Sequence, residues 1–164
     1  MTQKIFHMKN HQYKSKIKWT GNTGESTKNY RSYERSYIIS VDGKAEIKGS
    51  SDPAFLGNPE LHNPEDLLLA SVSSCHLLWY LHFCSVNKIL VLEYLDFAEG
   101  TMIESENGSG KFTEIILKPK ILVTKKEMIE KAIKLHQKAN EYCFIANSLN
   151  FEVKHQPEIN YKND

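Results

Sequence analysis

A chain of 164 residues with 21 basic and 20 acidic side chains has the length of one ordinary domain, and its net charge of +1 is spread without a basic stripe that would argue for nucleic acid. No block of like charge marks a solvated tail. Three cysteines, a small and odd number, fit a reducing compartment where any disulfide is transient rather than structural.

The opening stretch MTQKIFHMKNHQYK lacks the apolar core and small-residue cleavage site of a signal peptide, so a cytoplasmic location is expected. Tyr13, Ile17 and Trp19 alternate with Lys14, Lys16 and Lys18, the period of a half-buried strand. Asn22 to Gly24 mark a turn. Tyr33, Tyr37, Ile39 and Val41 share the next period-two face, Asp42-Gly43 predicts a hairpin, and Ala45 to Lys48 is the returning strand. Arg31 and Arg35 have the parity of the apolar set, and an inward Arg35 calls for a nearby carboxylate. Residues 50–62, with two prolines, a glycine and no periodicity, form a long loop of the kind that often carries function.

Asn63 stands at a cap position, Pro64 at the first helical position, and Glu65 and Asp66 in the first turn. The helix runs through an apolar segment to about Phe83 or Asn87. Leu67 to Val86 matches a membrane span in length. Ser71, Ser73, Ser74, His76 and His82 interrupt it and no second span follows, so the reading is a buried helix of a soluble protein or its oligomer, with no membrane partner. Tyr94 to Ile103 and Phe112 to Val123 are expected strands joined across Asn107-Gly108-Ser109-Gly110, with Pro119 an edge or a break. Lys125 to Tyr142 is helical, with Met128, Ala132, Leu135 and Ala139 on one stripe. Phe151 and Val153 mark a closing strand. The order implies a single α+β domain over residues 1–164.

Cys75 shares a narrow stripe of the apolar helix with Ser71, Ser74, Leu78 and His82. Position alone fits an inert cysteine at a tight helix contact at least as well as a nucleophile. Cys84 lies on the opposite side, roughly 13 Å away along the axis, and reads as core. Cys143 follows the second helix, where the backbone can move. Cys75, His76, His82, Cys84 and His136 are metal-ligand types, but without a C-x-x-C or a paired-histidine spacing no metal is expected. His82 lies near 10 Å from Cys75 by helix rise, too far for a catalytic base. His76 reads as a packed or interface histidine.

Asn63-Pro64-Glu65-Asp66-Leu67-Leu68-Leu69-Ala70-Ser71, followed by Ser74-Cys75-His76, resembles the helix signature of the OsmC/Ohr family, the osmotically induced and organic-hydroperoxide-resistance proteins. Tyr142-Cys143-Phe144-Ile145-Ala146-Asn147-Ser148 resembles its second cysteine segment, and the likeness extends to Ile17–Asn22 and Gly49–Phe55. The resemblance implies an OsmC-like fold: antiparallel sheets wrapped around central buried helices, in an intertwined homodimer with a site at each interface. It implies reduction of organic hydroperoxides, with Cys75 attacking, Cys143 resolving, Glu65 orienting an arginine, and an external dithiol, of the lipoyl type or another small one, in place of a cofactor. Where some members carry that arginine ahead of Asn-Pro-Glu, this chain has Leu56, so Arg35 is the candidate and Arg31 the second. Glu65 and Cys75 are roughly 15 Å apart along the helix, so a bridging arginine or a partner chain's glutamate must join them. Leu67, Leu68, Leu78, Trp79 and Phe144 would supply apolar walls. The second reading is a non-catalytic small-ligand-binding or redox-sensing member of the same fold.

Overall fold

The computed structural model describes residues 9–162, and the chain divides into two compact units, one up to Pro64 and one from Glu65 onward. The first carries a three-stranded antiparallel sheet of β1 (Lys16–Trp19), β2 (Tyr37–Ser40) and β3 (Ile47–Gly49), with β2 in the middle. The Asp42-Gly43 hairpin forms, with Gly43 at φ 74° and the Lys44 N–H donating to the Val41 carbonyl. Positive φ at this position is where glycine is required. β2 starts later than its alternation suggests. Tyr33 and Arg35 precede it, and the Asn22 and Tyr33 backbones make only an isolated bridge. Tyr37 pairs with Gly49, and its ring lies over the glycine so closely that a Cβ there would come within 2.3 Å of it. The loop after β3 contains one 3-10 turn, Pro53–Phe55, capped by the Asp52 carboxylate accepting the Ala54 N–H.

The second unit begins with α1 (Pro64–Val86), continues through β4 (Val91–Asp96), β5 (Glu99–Glu104), β6 (Gly110–Leu117), β7 (Pro119–Val123) and α2 (Ile129–Tyr142), and ends in β8 (Val153–His155) and β9 (Glu158–Tyr161). Each of the two long strands expected from sequence is two strands, and the halves belong to different sheets, β4-β7-β9 and β5-β6-β8. Pro119 marks the break: it is the first residue of β7, where a missing N–H costs least. Asp96 fixes both breaks, accepting the Lys118 N–H at 2.7 Å on one oxygen and the Ser73 hydroxyl at 2.5 Å on the other. The C-terminal stretch supplies two strands where one is expected, β8 parallel to β6 and β9 parallel to β7.

Two apolar clusters fill this unit. Tyr80, Phe83, Cys84, Ile121, Val123, Ala132, Leu135 and Ala139 pack together in one, and Val72, Ile115, Leu117 and Val153 in the other. Each fully buried aliphatic side chain contributes roughly 1.5–3 kcal/mol. The buried residues of α1, namely Val72, His76, Tyr80, Phe83 and Cys84, form one helical stripe. Within its own unit the helix is therefore inside on one side only. Leu78, 67 % exposed, Leu81 and Val86 face outward. Cys84 is core, as read.

Replacing Asp96 by alanine orphans the Lys118 amide and the Ser73 hydroxyl at the point where both strands change sheet. The expected loss is about 1–3 kcal/mol of unfolding free energy in urea, with the m-value unchanged.

Candidate active site

Cys75 lies mid-way along α1, one residue before the inward-facing His76, and is half-buried. Successive helical positions turn by about 100°, so Cys75 sits at the border of the buried stripe rather than within it. Cys143 is the residue at which α2 stops: its extended backbone, φ −69° and ψ 106°, ends the helix while its N–H still donates to the Asn140 carbonyl. The chain then folds back tightly. The Asn147 N–H donates to the Cys143 carbonyl, and the Ala146 N–H to its sulfur at 3.4 Å.

This turn buries the Cys143 thiol completely and sets it beside the Cys75 thiol, close enough for the two to interact. Both are free. Burial, and then the neighbouring Cys75, push Cys143 up to about 11, so it waits as a neutral thiol at physiological pH. Cys84 is likewise raised to about 11 by burial, beside the Tyr80 hydroxyl, and is chemically quiet.

Aromatic rings crowd the cysteine pair. Trp79, one turn beyond Cys75, meets Tyr142 and Phe144 with ring centres 5.2 and 5.7 Å away and also packs on Phe83. Phe144 is 68 % exposed. Of the apolar walls anticipated, Trp79 and Phe144 pack on each other, Leu67 and Leu68 are half-buried, and Leu78 faces outward.

Glu65 is half-buried in the first turn of α1, roughly 15 Å of helix away from Cys75. Arg35 belongs to the first unit. Its guanidinium donates to the carbonyls of Tyr33 and Tyr30 and lies 4.4 Å from the centre of each of their rings. Main-chain oxygens and aromatic faces thus hold the charge where parity alone suggested a carboxylate. Arg35 also lines a cavity of about 300 Å³ with Ser50, Leu56 and Asn58. Arg31 is exposed. Sequence reasoning weighed His136 only as a metal-ligand type, whereas the structure buries it against His76 (2.9 Å between ring nitrogens); its place on the apolar stripe of α2 was the available signal.

Brief alkylation of the native protein at pH 7.5 is expected to label Cys75 first, with Cys84 and Cys143 modified at least about tenfold more slowly because both are buried and held as thiols. Peptide mass spectrometry at timed intervals checks this order.

The OsmC-like protein family matches residues 57–158. Among solved structures, an OsmC-like protein of unknown function from Vibrio cholerae superimposes with a TM-score of 0.81 at 28% identity, over 91% of this chain and 100% of that one. An organic hydroperoxide resistance protein from Elizabethkingia anophelis superimposes with a TM-score of 0.67 at 25% identity, over 93% of this chain and 100% of that one. The organic hydroperoxide resistance protein OhrB of Bacillus subtilis, at 22% identity and a TM-score of 0.60 over 89% and 98% of the two chains, shares the fold. No curated protein sequence matches the chain. Matched in sequence over more than half its length and in fold over nearly all of it, the chain belongs to the OsmC-like family.

Proposed function

We propose that this protein is a cytoplasmic thiol peroxidase that reduces organic hydroperoxides to alcohols, with Cys75 as attacking and Cys143 as resolving cysteine. One observation carries the reading: a half-exposed thiol on a helix lies beside a buried second thiol held at the helix-ending turn. The name of the Elizabethkingia relative, an organic hydroperoxide resistance protein, agrees with it.

The Cys75 thiolate attacks the peroxide, the O–O bond breaks, and the alkoxide leaves as alcohol after taking a proton. Cys75 is then a sulfenic acid. The Cys143 sulfur displaces its hydroxyl, the S–S bond forms and water departs. An external dithiol, of the lipoyl type, returns both thiols and is itself oxidised. The family resemblance gives Arg35 the role of the activating cation and Glu65, on the same chain or a partner subunit, the role of orienting it, and Arg35→Met tests the first of these. Trp79 and Phe144 favour alkyl over hydrogen peroxide.

A second copy of the chain covers the open side of α1. Leu78, Leu81 and Val86 on the helix, and Leu90, Leu92 and Leu95 nearby in sequence, are all exposed in the single chain. The helix is also long and apolar enough to cross a membrane by length and composition. Its buried stripe of Val72, His76, Tyr80 and Cys84 packs into the unit's own core, which favours the homodimer.

A non-catalytic ligand-binding role is the second reading, favoured by Leu56 and by the engagement of Arg35 with two carbonyls.

Consumption of cumene hydroperoxide with dihydrolipoamide separates the two. Turnover is expected in wild type and is lost in Cys75→Ser, Cys143→Ser stops after one turnover with a trappable sulfenic acid, and Arg35→Met slows attack by about 10²–10³. No turnover in wild type with both thiols titratable overturns the peroxidase reading and favours the binding role. Light scattering is expected to give twice the chain mass for wild type and a concentration-dependent lower mass for Leu78→Asp.

A further inference from the structure

Three buried side-chain polar atoms, His76 Nδ1, His136 Nε2 and the Tyr94 hydroxyl, lack a hydrogen-bond partner among the described residues, and the Tyr80 hydroxyl has the Cys84 thiol beside it. They belong to one connected group of rings. His136 stacks on Tyr80 at 4.0 Å, Tyr80 meets Tyr94 at 5.7 Å, and His155 lies 5.8 and 6.0 Å from His76 and His136. At its centre, His76 Nε2 of α1 and His136 Nδ1 of α2 are 2.9 Å apart, with the ring planes within 9° and the centres 5.2 Å apart. That centre separation is the N–N distance plus a ring radius at each end, so the two nitrogens face each other in line. They share one proton and do not diverge around a common metal centre, and among the described residues no cluster is fit to hold a metal. His76 is 1 % exposed and His136 not at all.

α1 and α2 are thus tied twice from neighbouring residues of α1: Cys75 reaches Cys143, and His76 reaches His136. Cys143 follows His136 by two helical turns, on the same side of α2. We propose that His76 and His136 are positioning residues for disulfide formation: their shared hydrogen bond sets α2 on α1 so that the Cys143 sulfur meets the oxidised Cys75 sulfur, and protonation of the pair releases it. This rests on the thiol-peroxidase reading above. The step served is condensation: the Cys143 thiol attacks the Cys75 sulfenic sulfur, an S–S bond replaces the S–O bond, and hydroxide leaves with a proton as water. Disulfide geometry admits little slack, and a displacement of about 1 Å costs on the order of 10² in rate.

The pair is built to stay neutral. Burial first, and then His155, hold His76 down to about 4. Burial, then His76 and His155, hold His136 down to about 3. The titratable groups facing it are Tyr80 and Cys84 from α1, Tyr94 from β4 and His155 from β8. Burial raises Tyr80, Cys84 and Tyr94, so they stay uncharged, and the carboxylate of Glu152 bears on His155. One added proton places a cation among these neutral walls, and a second turns both facing nitrogens into donors. The opened arrangement binds protons from about pH 6.5 downward, while the closed one does not until near pH 4. The closed contact is therefore fully favoured above pH 6.5 and loses ground as pH falls below it.

The test measures disulfide formation by stopped flow and quench, with cumene hydroperoxide as oxidant and, separately, with diamide, which joins the same two thiols without peroxide chemistry. His76→Gln keeps a nitrogen at the ring Nε2 position and takes up no proton in this range, and His136→Asn does the same for Nδ1. His136→Phe fills the space without a hydrogen bond. The rate at about pH 4.5 relative to that at pH 7 is expected to be at least fivefold higher in His76→Gln and His136→Asn than in wild type, and His136→Phe at least tenfold slower at every pH. An identical pH profile in all four proteins, or an undiminished rate in His136→Phe, overturns the proposal. A failure with peroxide alongside the expected pattern with diamide refutes the peroxidase and leaves the positioning role standing.

Discussion

Helix α1 has to be covered along its whole length, and that requirement shapes the second unit. Twenty-three residues of helix extend about 34 Å, while a three-stranded sheet is roughly 14 Å across. One such sheet cannot line it, and two do. Val72, in the N-terminal half, packs with Ile115, Leu117 and Val153 of the β5-β6-β8 sheet, and Tyr80, Phe83 and Cys84, in the C-terminal half, pack with Ile121 and Val123 of β7. The strands feeding both sheets must change partners midway, and the Asp96 carboxylate, bonded to Ser73 of the helix and to the Lys118 amide, holds that change in register with the helix.

The seam between the two cores is where the polar chemistry collects. Ser73, Cys75 and His76 all fall between Val72 and Tyr80, the stretch of α1 at which one cluster ends and the other begins. A thiol and an imidazole are tolerated there because α2 and its terminal turn bring matching groups, His136 and Cys143, to the same stretch. Buried polar groups hold their places by being paired.

What could be read in the sequence was whatever depends on near neighbours. The start of α1 at Pro64, the Asp42-Gly43 hairpin, the turn at Gly108 and the stripe of α2 follow from caps, turn residues and periodicity, and all stand. What depends on distant pairing was not legible. Leu95 and Ile103 look like one strand because their alternation is continuous, and nothing local announces that Phe97-Ala98 passes between sheets. β9 went unseen because its pairing with β7 is settled across the length of α2. The same holds at the site. Resemblance to a family singled out Cys75 and Cys143, whereas their contact, the Arg35 guanidinium resting on carbonyls, and the meeting of two histidines 60 residues apart are properties of the fold.

The parallel strands β8 and β9 also set an order of events at synthesis. Until Val153 to Tyr161 have been made, β6 and β7 present open edges and each sheet is a two-stranded ribbon, which is marginal in water. The turn carrying Cys143 lies between α2 and β8, so its far side is anchored last. A nascent chain thus carries both Cys75 and Cys143 before the strand that anchors the Cys143 turn has been made. The last two strands of the fold are what close both sheets and fix the far side of the turn that buries Cys143.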